Sequence, residues 1–209
     1  MDGSATPRSF EPTRNAALER LRAFAPKAGS EYARLRNYDL GPGRHVHVSG
    51  LSPYLRHRLI TEPEVLRTVL ARHSAQAAEK FVQEVFWRSY WKGWLEMRPA
   101  VWTAYRAGLP SALNRTQAES GLRQRWSDAC NGQTGIDGFD HWAHELIQTG
   151  YLHNHARMWF ASIWVFTPGL PWELGAAFLL RPLHDGDPAS NTLGLRWVAG
   201  LPPRAQTDL

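Results

Sequence analysis

The stretch Leu152–Phe166, LHNHARMWFASIWVF, settles the structural class of this chain. It is apolar almost all round at a helical repeat, which predicts a central helix that stops before Thr167-Pro168-Gly169. Asn154, Arg157 and Met158 fall on one face of it, at i, i+3 and i+4. An amide and a guanidinium on so greasy a helix need buried partners, because an unpaired buried charge costs several kcal/mol. Downstream, His184-Asp185-Gly186-Asp187-Pro188-Ala189-Ser190-Asn191 is a compact polar turn of acceptors. Asp185 is the natural partner for Arg157.

Further helices are expected on both sides. Helical periodicity begins at Asn15 and stops before Pro26, and a polar helix includes Glu31 to Tyr38. Gly41-Pro42-Gly43 breaks the pattern, leaving residues 44–50 as loop. Ser52-Pro53 reads as an N-cap followed by proline at the first helical position, opening a helix over Tyr54–Ile60. Thr61-Glu62-Pro63-Glu64 repeats that grammar as a capping box. A longer helix over Ala75–Met97 ends at Arg98-Pro99. Pro110, Gly121 and Asn131-Gly132 predict short helices joined by loops across residues 99–135. Phe139–Thr149 is helical up to Gly150, Trp172–Leu180 is helical, and a final short helix covers Leu193–Ala199. With no alternating strand pattern and no repeat, the expected fold class is all-α. Residues 1–13 read as a disordered leader and residues 14–209 as one helical domain.

Composition narrows the partners. Lys and Arg number 24 against 19 Asp and Glu, a net charge of +5 carried mainly by arginine, whose fork suits phosphate oxygens. A nucleic-acid partner or a phosphate-bearing cofactor fits that balance, as does plain solubility. One cysteine, Cys130, excludes an intramolecular disulfide and an all-cysteine metal site, and a reducing cytoplasm is the natural compartment. No secretory signal or membrane-spanning run is apparent. Ten tryptophans are the compositional anomaly. Indole serves as core filler, as a stacking surface for bases and flavins, or as an electron carrier, so positions must decide.

Glu84, Trp87, Arg88 and Trp91 are spaced by three and four, which puts carboxylate, indole and guanidinium on one stripe. Read alone, that stripe is better explained as a Glu84–Arg88 surface pair with packing tryptophans. The histidine pairs 45/47, 141/144 and 153/155 lack a third ligand at convincing spacing, so no metal is expected. No serine sits in a nucleophile elbow.

Taken together, these motifs resemble the DNA photolyase and cryptochrome family. Asn154–Met158 with the preceding histidine is similar to its HNxxRM helix, and Asp185–Asn191 to its DGDxAxN loop. Residues 81–90 resemble its ELIWREFY helix, Ser49–Leu55 its TSxLSPYL turn, Glu31–Arg36 its EYxxxR segment, and Gln133–Asp140 its KTGYPxxD segment. The resemblance runs from about Tyr32 to Trp197. It implies the helical FAD-binding domain alone, without the family's N-terminal α/β domain, so no antenna chromophore is expected in this chain.

What the resemblance implies for the site is specific. FAD in a bent form would contact Tyr32, Ser49, Leu51, Ser52, Phe81, Glu84, Arg88, Asn154, Arg157, Asp185, Asp187 and Asn191. The diphosphate would lie on the Ser49–Leu55 turn and helix start, and Asn191 near the reactive ring nitrogen. Damaged DNA, possibly single-stranded, would meet Glu84, Trp87, Asn154, His155, Met158 and Trp197. Glu84, Asn191 and Trp172 are the catalytic candidates, Trp172 as the middle member of an electron relay.

The sequence also departs from that pattern. Val48 replaces a hydroxyl, Asp137 a proline, His155 an arginine beside the lesion, and Leu195 the relay tryptophan nearest the flavin. Leucine cannot be oxidised by the excited flavin, and Trp159 or Trp164 are the candidates for a detour. The favoured activity is light-driven repair of cyclobutane pyrimidine dimers. A non-repairing cryptochrome-like light or redox signalling protein, a flavoenzyme of other chemistry and a cofactor-free DNA-binding module stay open beside it.

Overall fold

Side-chain caps fix the starts of four helices, the first of them near the N-terminus. Thr13 Oγ1 accepts from Ala16 N at 3.2 Å and opens α1 (Arg14–Phe24), which a 3-10 turn at Ala25–Lys27 closes around Pro26. Two short helices follow, α2 (Ser30–Leu35) and α3 (Ser52–Arg56). Thr61 and Glu64 form the expected capping box of α4 (Glu62–Leu70), with Glu64 Oε2 accepting from Thr61 N at 2.9 Å. Arg14 also grips Glu64, so one carboxylate caps α4 and ties it to α1. The computed structural model describes residues 10–201 and holds eleven α-helices among them, with no strand. The all-α expectation holds.

The longer helices build the other half of the molecule. They are α5 (Glu79–Glu96), α6 (Pro99–Ala118), α7 (Ser120–Asn131), α8 (Asp137–Thr149), α9 (Asn154–Phe166), α10 (Trp172–Leu180) and α11 (Pro188–Val198). Residues 99–135 are therefore not short pieces: α6 runs straight through Pro110. Proline there orphans the carbonyl of Arg106, but Arg106 and Pro110 both face solvent, where water satisfies that oxygen. Tyr105, Ala112 and Thr116 hold the opposite face in the interior. The last helix is likewise longer than expected. Asp187 caps it by accepting from Ala189 N and Ser190 N at 3.0 and 3.1 Å, with Pro188 at the first helical position. Part of the polar turn is thus a helix start.

Two hydrophobic clusters share the burial. One gathers α1 to α4 and the first half of α5, with Leu21, Tyr54, Ile60, Val65, Phe81 and Val85 inside. The other gathers α6 to α11 around α9, whose Phe160 stacks on Phe139 at 4.2 Å and whose Trp164 donates to Pro171 O at 3.0 Å. α9 is central on that face, but Met158, Trp159 and Phe166 are exposed on the other, so it is not buried all round.

Across the seam between the clusters the ties are polar. His45 pairs with Glu145 at 2.6 Å, Arg56 Nε donates to Gly186 O at 2.8 Å, and His57 Nε2 lies 2.9 Å from His184 O. Gly150 ends α8 at φ 63, and its carbonyl accepts from His184 N at 2.8 Å; a Cβ there would stand 2.4 Å from His184 Nε2. Only glycine permits both the left-handed turn and this approach.

The expected leader falls largely on residues 1–9, outside the described residues. Its last part is tied down: Phe10 packs against Tyr54, Tyr151 and His184, with the Arg20 guanidinium 4.9 Å above its ring.

Candidate functional site

The seam opens into a cleft of about 200 Å³ lined from both clusters. Tyr32, Ser49, Leu51, Ser52, Leu55, Phe81, Glu84, Val85 and Arg88 come from one side, and Tyr151, Leu152, Asn154, Arg157 and Asp185 from the other. Every residue expected to touch a cofactor is here except Asp187 and Asn191.

At its centre stands the expected ion pair. Arg157 Nη2 donates to Asp185 Oδ2 at 3.0 Å and its Nε to Leu152 O at 2.8 Å, while its guanidinium carbon lies 5.7 Å from the Tyr151 ring centroid. These contacts fix the plane of the fork. Burial pushes the Asp185 carboxyl up, but the Arg157 charge and hydrogen bond, with Ser52 and Arg88 adding, outweigh it and hold the group below its ordinary range. Asp185 is therefore a carboxylate at neutral pH.

Glu84 pairs with Arg36, not with Arg88. The reason is geometric: α2 packs against α5, and Arg36 at its end is held by His153 Nε2, 3.0 Å from the Arg36 carbonyl. His153 Nδ1 accepts from His155 N at 3.2 Å and so caps α9, which makes Nε2 the protonated nitrogen of this ring. Tyr32 completes the corner, its hydroxyl pushed up to about 12 by burial and then by the Glu84 charge. Nothing in the spacing of residues 31 to 36 reveals the Arg36–Glu84 pair; the contact exists only once the two helices meet.

Arg88 is the unsatisfied cation of the cleft. Its Nε and Nη2 are buried without a hydrogen-bond partner, as is Asp185 Oδ1. Nη2 lies 3.9 Å from Asp187 Oδ2, an oxygen also approached by Lys92 at 3.5 Å and Arg56 at 3.9 Å. Burial lowers the Arg88 guanidinium, while Asp187 and Asp185 raise it. A cleft bordered by unspent donors and an unspent acceptor suits a planar heterocycle that carries both ring carbonyls and a ring N–H.

Other expected contacts lie elsewhere. Asp187 spends one oxygen capping α11, and Asn191 Nδ2 donates to Ala176 O at 2.8 Å, tying α11 to α10. Trp172 sits in the second cluster, 5.6 Å from Tyr105, which in turn is 5.2 Å from Trp102. Leu195 is buried in that cluster. Of the two detour candidates, Trp159 stacks on Trp142 at 5.7 Å and Trp164 packs among Phe139, Phe160 and Phe178. The helix that was to receive a diphosphate, α3, has five residues, too few for a strong dipole, and Leu51, not Ser52, stands at its N-cap. Any phosphate there depends on the hydroxyls of Ser49 and Ser52. Asp140 accepts from Thr134 N, Thr134 Oγ1 and Gly135 N, so residues 134–140 form a helix-entry turn outside the cleft.

The apolar residues expected to meet damaged DNA lie outside the cleft lining. Trp87 of α5, Met158 of α9 and Trp197 of α11 are 47%, 39% and 62% exposed, and α11 packs against both other helices. His155 lies between His153 and Trp159, with ring centroids 5.9 and 5.8 Å away. Among the described residues no three His, Cys, Asp or Glu come together as a metal site, and no helix is long and apolar enough to cross a membrane.

Comparisons with known proteins converge. The family described as the FAD binding domain of DNA photolyase matches residues 81–208. The chain is 34% identical over 192 residues to a deoxyribodipyrimidine photo-lyase of Thermus thermophilus, covering 91% of this chain and 43% of the relative. To the enzyme of that name from Synechococcus sp. it is 29% identical over 203 residues, covering 93% and 40%. A bacterial class III photolyase from Agrobacterium tumefaciens superposes with a TM-score of 0.71 at 26% identity, over 90% of this chain and 38% of that one. A Synechocystis sp. PCC6803 cryptochrome shares the fold, with a TM-score of 0.73 at 23% identity, over 97% of this chain and 42% of that one. The chain thus spans about two fifths of the length of the relatives it matches.

Proposed function

Because this chain belongs to the family of the photolyase FAD-binding domain, we propose that its cleft binds FAD and that the complex repairs cyclobutane pyrimidine dimers in DNA under blue light. One observation carries the cofactor reading: the Arg157–Asp185 pair, Asn154 and the unsatisfied Arg88 face one another across a cleft between two otherwise separate clusters. In this reading Arg157 and Asp185 hold the ring and set its electrostatic surroundings, and Arg88 supplies donors to its carbonyls. Asn191 contributes through its amide oxygen or its second N–H, since one N–H is committed to α10. The cleft is smaller than the ~300–1,000 Å³ of common ligand pockets.

Held by Arg157, Asp185 and Arg88, FAD would supply light-driven one-electron chemistry, lent to the dimer and returned, so that opening the two cyclobutane C–C bonds would be redox-neutral overall. The protein's part is binding and placement. Trp87, Met158 and Trp197 offer apolar walls to a flipped dinucleotide, Asn154 and His155 border it, and Glu84 accepts hydrogen bonds from its bases. The basic surface grips the backbone phosphates.

Leu195 supports a second reading, a cryptochrome-like protein that binds FAD without repairing DNA, since a leucine stands where the relay tryptophan nearest the flavin is expected. The two separate on one assay. Chemically reduced, FAD-loaded protein is mixed with dimer-containing single-stranded DNA and illuminated with blue light. Loss of dimers is expected, and dimers that persist while FAD stays bound refute the repair reading. A colourless protein that takes up no FAD refutes both.

A further inference from the structure

The irregular segment between α2 and α3, residues 36–51, carries the Ser49–Ser52 wall yet has almost no architecture of its own. Its backbone hydrogen bonds are local, such as Arg44 N to Gly41 O and Val46 N to Arg44 O. Gly41, Gly43 and Gly50 all sit at positive φ, where a side chain would be strained, so the path of this segment depends on glycine rather than on a helix or strand. Such a loop holds a ligand-binding turn in one place only if something from outside fixes it.

That fixture is His45. Its ring is 2% exposed and its Nε2 lies 2.6 Å from Oε1 of Glu145, itself 1% exposed, on α8 in the opposite cluster. Asp39 Oδ1 lies 3.5 Å from Nδ1, the Tyr151 ring meets it edge-on at 5.1 Å, and His153 stacks beside it at 5.9 Å. Both neighbouring rings lead back to the site: Tyr151 lines the cleft, and His153 holds the carbonyl of Arg36, which pairs with Glu84. Glu145 reaches no substrate or cofactor position itself and does not line the cleft. A carboxylate buried this deeply is costly to desolvate, and here its partner is a side chain of the loop, whose backbone–backbone hydrogen bonds are all local.

We infer that His45 and Glu145 are positioning residues that pin the loop of residues 36–51 to α8 and thereby set where the Ser49–Ser52 turn meets the diphosphate of FAD. This rests on the FAD reading above. The tie acts on the phosphate-bearing half of the cofactor, because the ring half is held from outside this loop, by Arg157 of α9, Arg88 of α5 and Asp185 of the turn before α11.

The test compares FAD with riboflavin, which has the ring and no phosphate, on the full chain. Glu145→Leu removes the acceptor, Glu145→Gln keeps one, and the pair His45→Leu with Glu145→Leu removes both buried polar partners of the tie together, which is the better-tolerated change should Glu145→Leu alone not fold. FAD affinity is expected to fall about tenfold or more in Glu145→Leu and in the double variant, and by less than about threefold in Glu145→Gln. Riboflavin affinity stays within about threefold throughout. In the ligand-free protein, hydrogen exchange at residues 44–51 rises in the leucine variants while that of α9 does not change. FAD binding as tight as wild type in the double variant, equal losses for FAD and riboflavin, or unchanged exchange at 44–51 each overturn the inference. Failure of the wild-type chain to bind either flavin overturns the cofactor reading instead.

Discussion

Replacing Asp185 by asparagine tests the centre of the site without a flavin. The side chain is 5% exposed and its partner Arg157 25% exposed, so solvent screens the pair little. Breaking a buried ion pair by removing one partner costs about 3–5 kcal/mol. Asparagine keeps the shape and an acceptor for Arg157 Nη2, so the charge is what is lost, and about 2–3 kcal/mol is expected. For a domain of this size that lowers Tm by about 5–10 °C at pH 7.

The pH dependence is the sharper criterion. The folded carboxyl sits below its ordinary value, so its contribution is fully present above the ordinary aspartate range near ~4 and is lost as pH falls through the folded value. Wild type and Asp185→Asn should therefore differ from pH 7 down to about pH 4 and converge in stronger acid. Thermal unfolding followed by far-UV circular dichroism across that range measures the gap. Equal Tm at pH 7, or a gap that persists undiminished in acid, refutes the ion pair as the source of the stability.

Other outcomes follow from single contacts. Thr61→Ala, which removes the α4 cap, should cost about 1 kcal/mol in urea unfolding with an unchanged m-value. Gly150→Ala forces a left-handed residue and a Cβ against His184, so a loss of at least ~1–2 kcal/mol is expected, and a neutral result would place His184 elsewhere. Burial pushes the Cys130 thiol up to about 11, so alkylation at pH 8 should be slow in the native protein and fast in guanidinium, as read by mass spectrometry. If the proposed function holds, Trp197→Ala, exposed and outside the cleft lining, should weaken binding of dimer-containing DNA while leaving FAD content unchanged.

Much of the fold is written in local signals. Thr13, the Thr61–Glu64 box, Gly132 and Gly150 mark helix ends because capping is a short-range matter. Pro110 misleads for the converse reason: whether a proline breaks a helix depends on whether the orphaned carbonyl reaches water, and exposure belongs to the assembled molecule. The start of α11 is obscured because Asp187 and Pro188 belong equally to a polar turn and to a helix start. Within the site, the Arg157–Asp185 pair is legible because a charge on an apolar helix demands a partner. The Arg36–Glu84 and His45–Glu145 pairs are not, since each joins residues that ordinary surface placement would satisfy equally well. Only packing decides between those alternatives.

The polar seam has a consequence for how the molecule withstands heat. Hydrogen bonds and ion pairs help to close the joint between the two apolar clusters, and the joint is where a first, partial opening is expected. A compound seated in the seam bonds to both halves at once and contributes RT ln(1 + [L]/Kd), about 2.7 kcal/mol at a hundredfold excess over Kd. The melting temperature of this protein therefore doubles as an occupancy gauge: titrated against candidate compounds, it ranks them without requiring light, DNA or turnover.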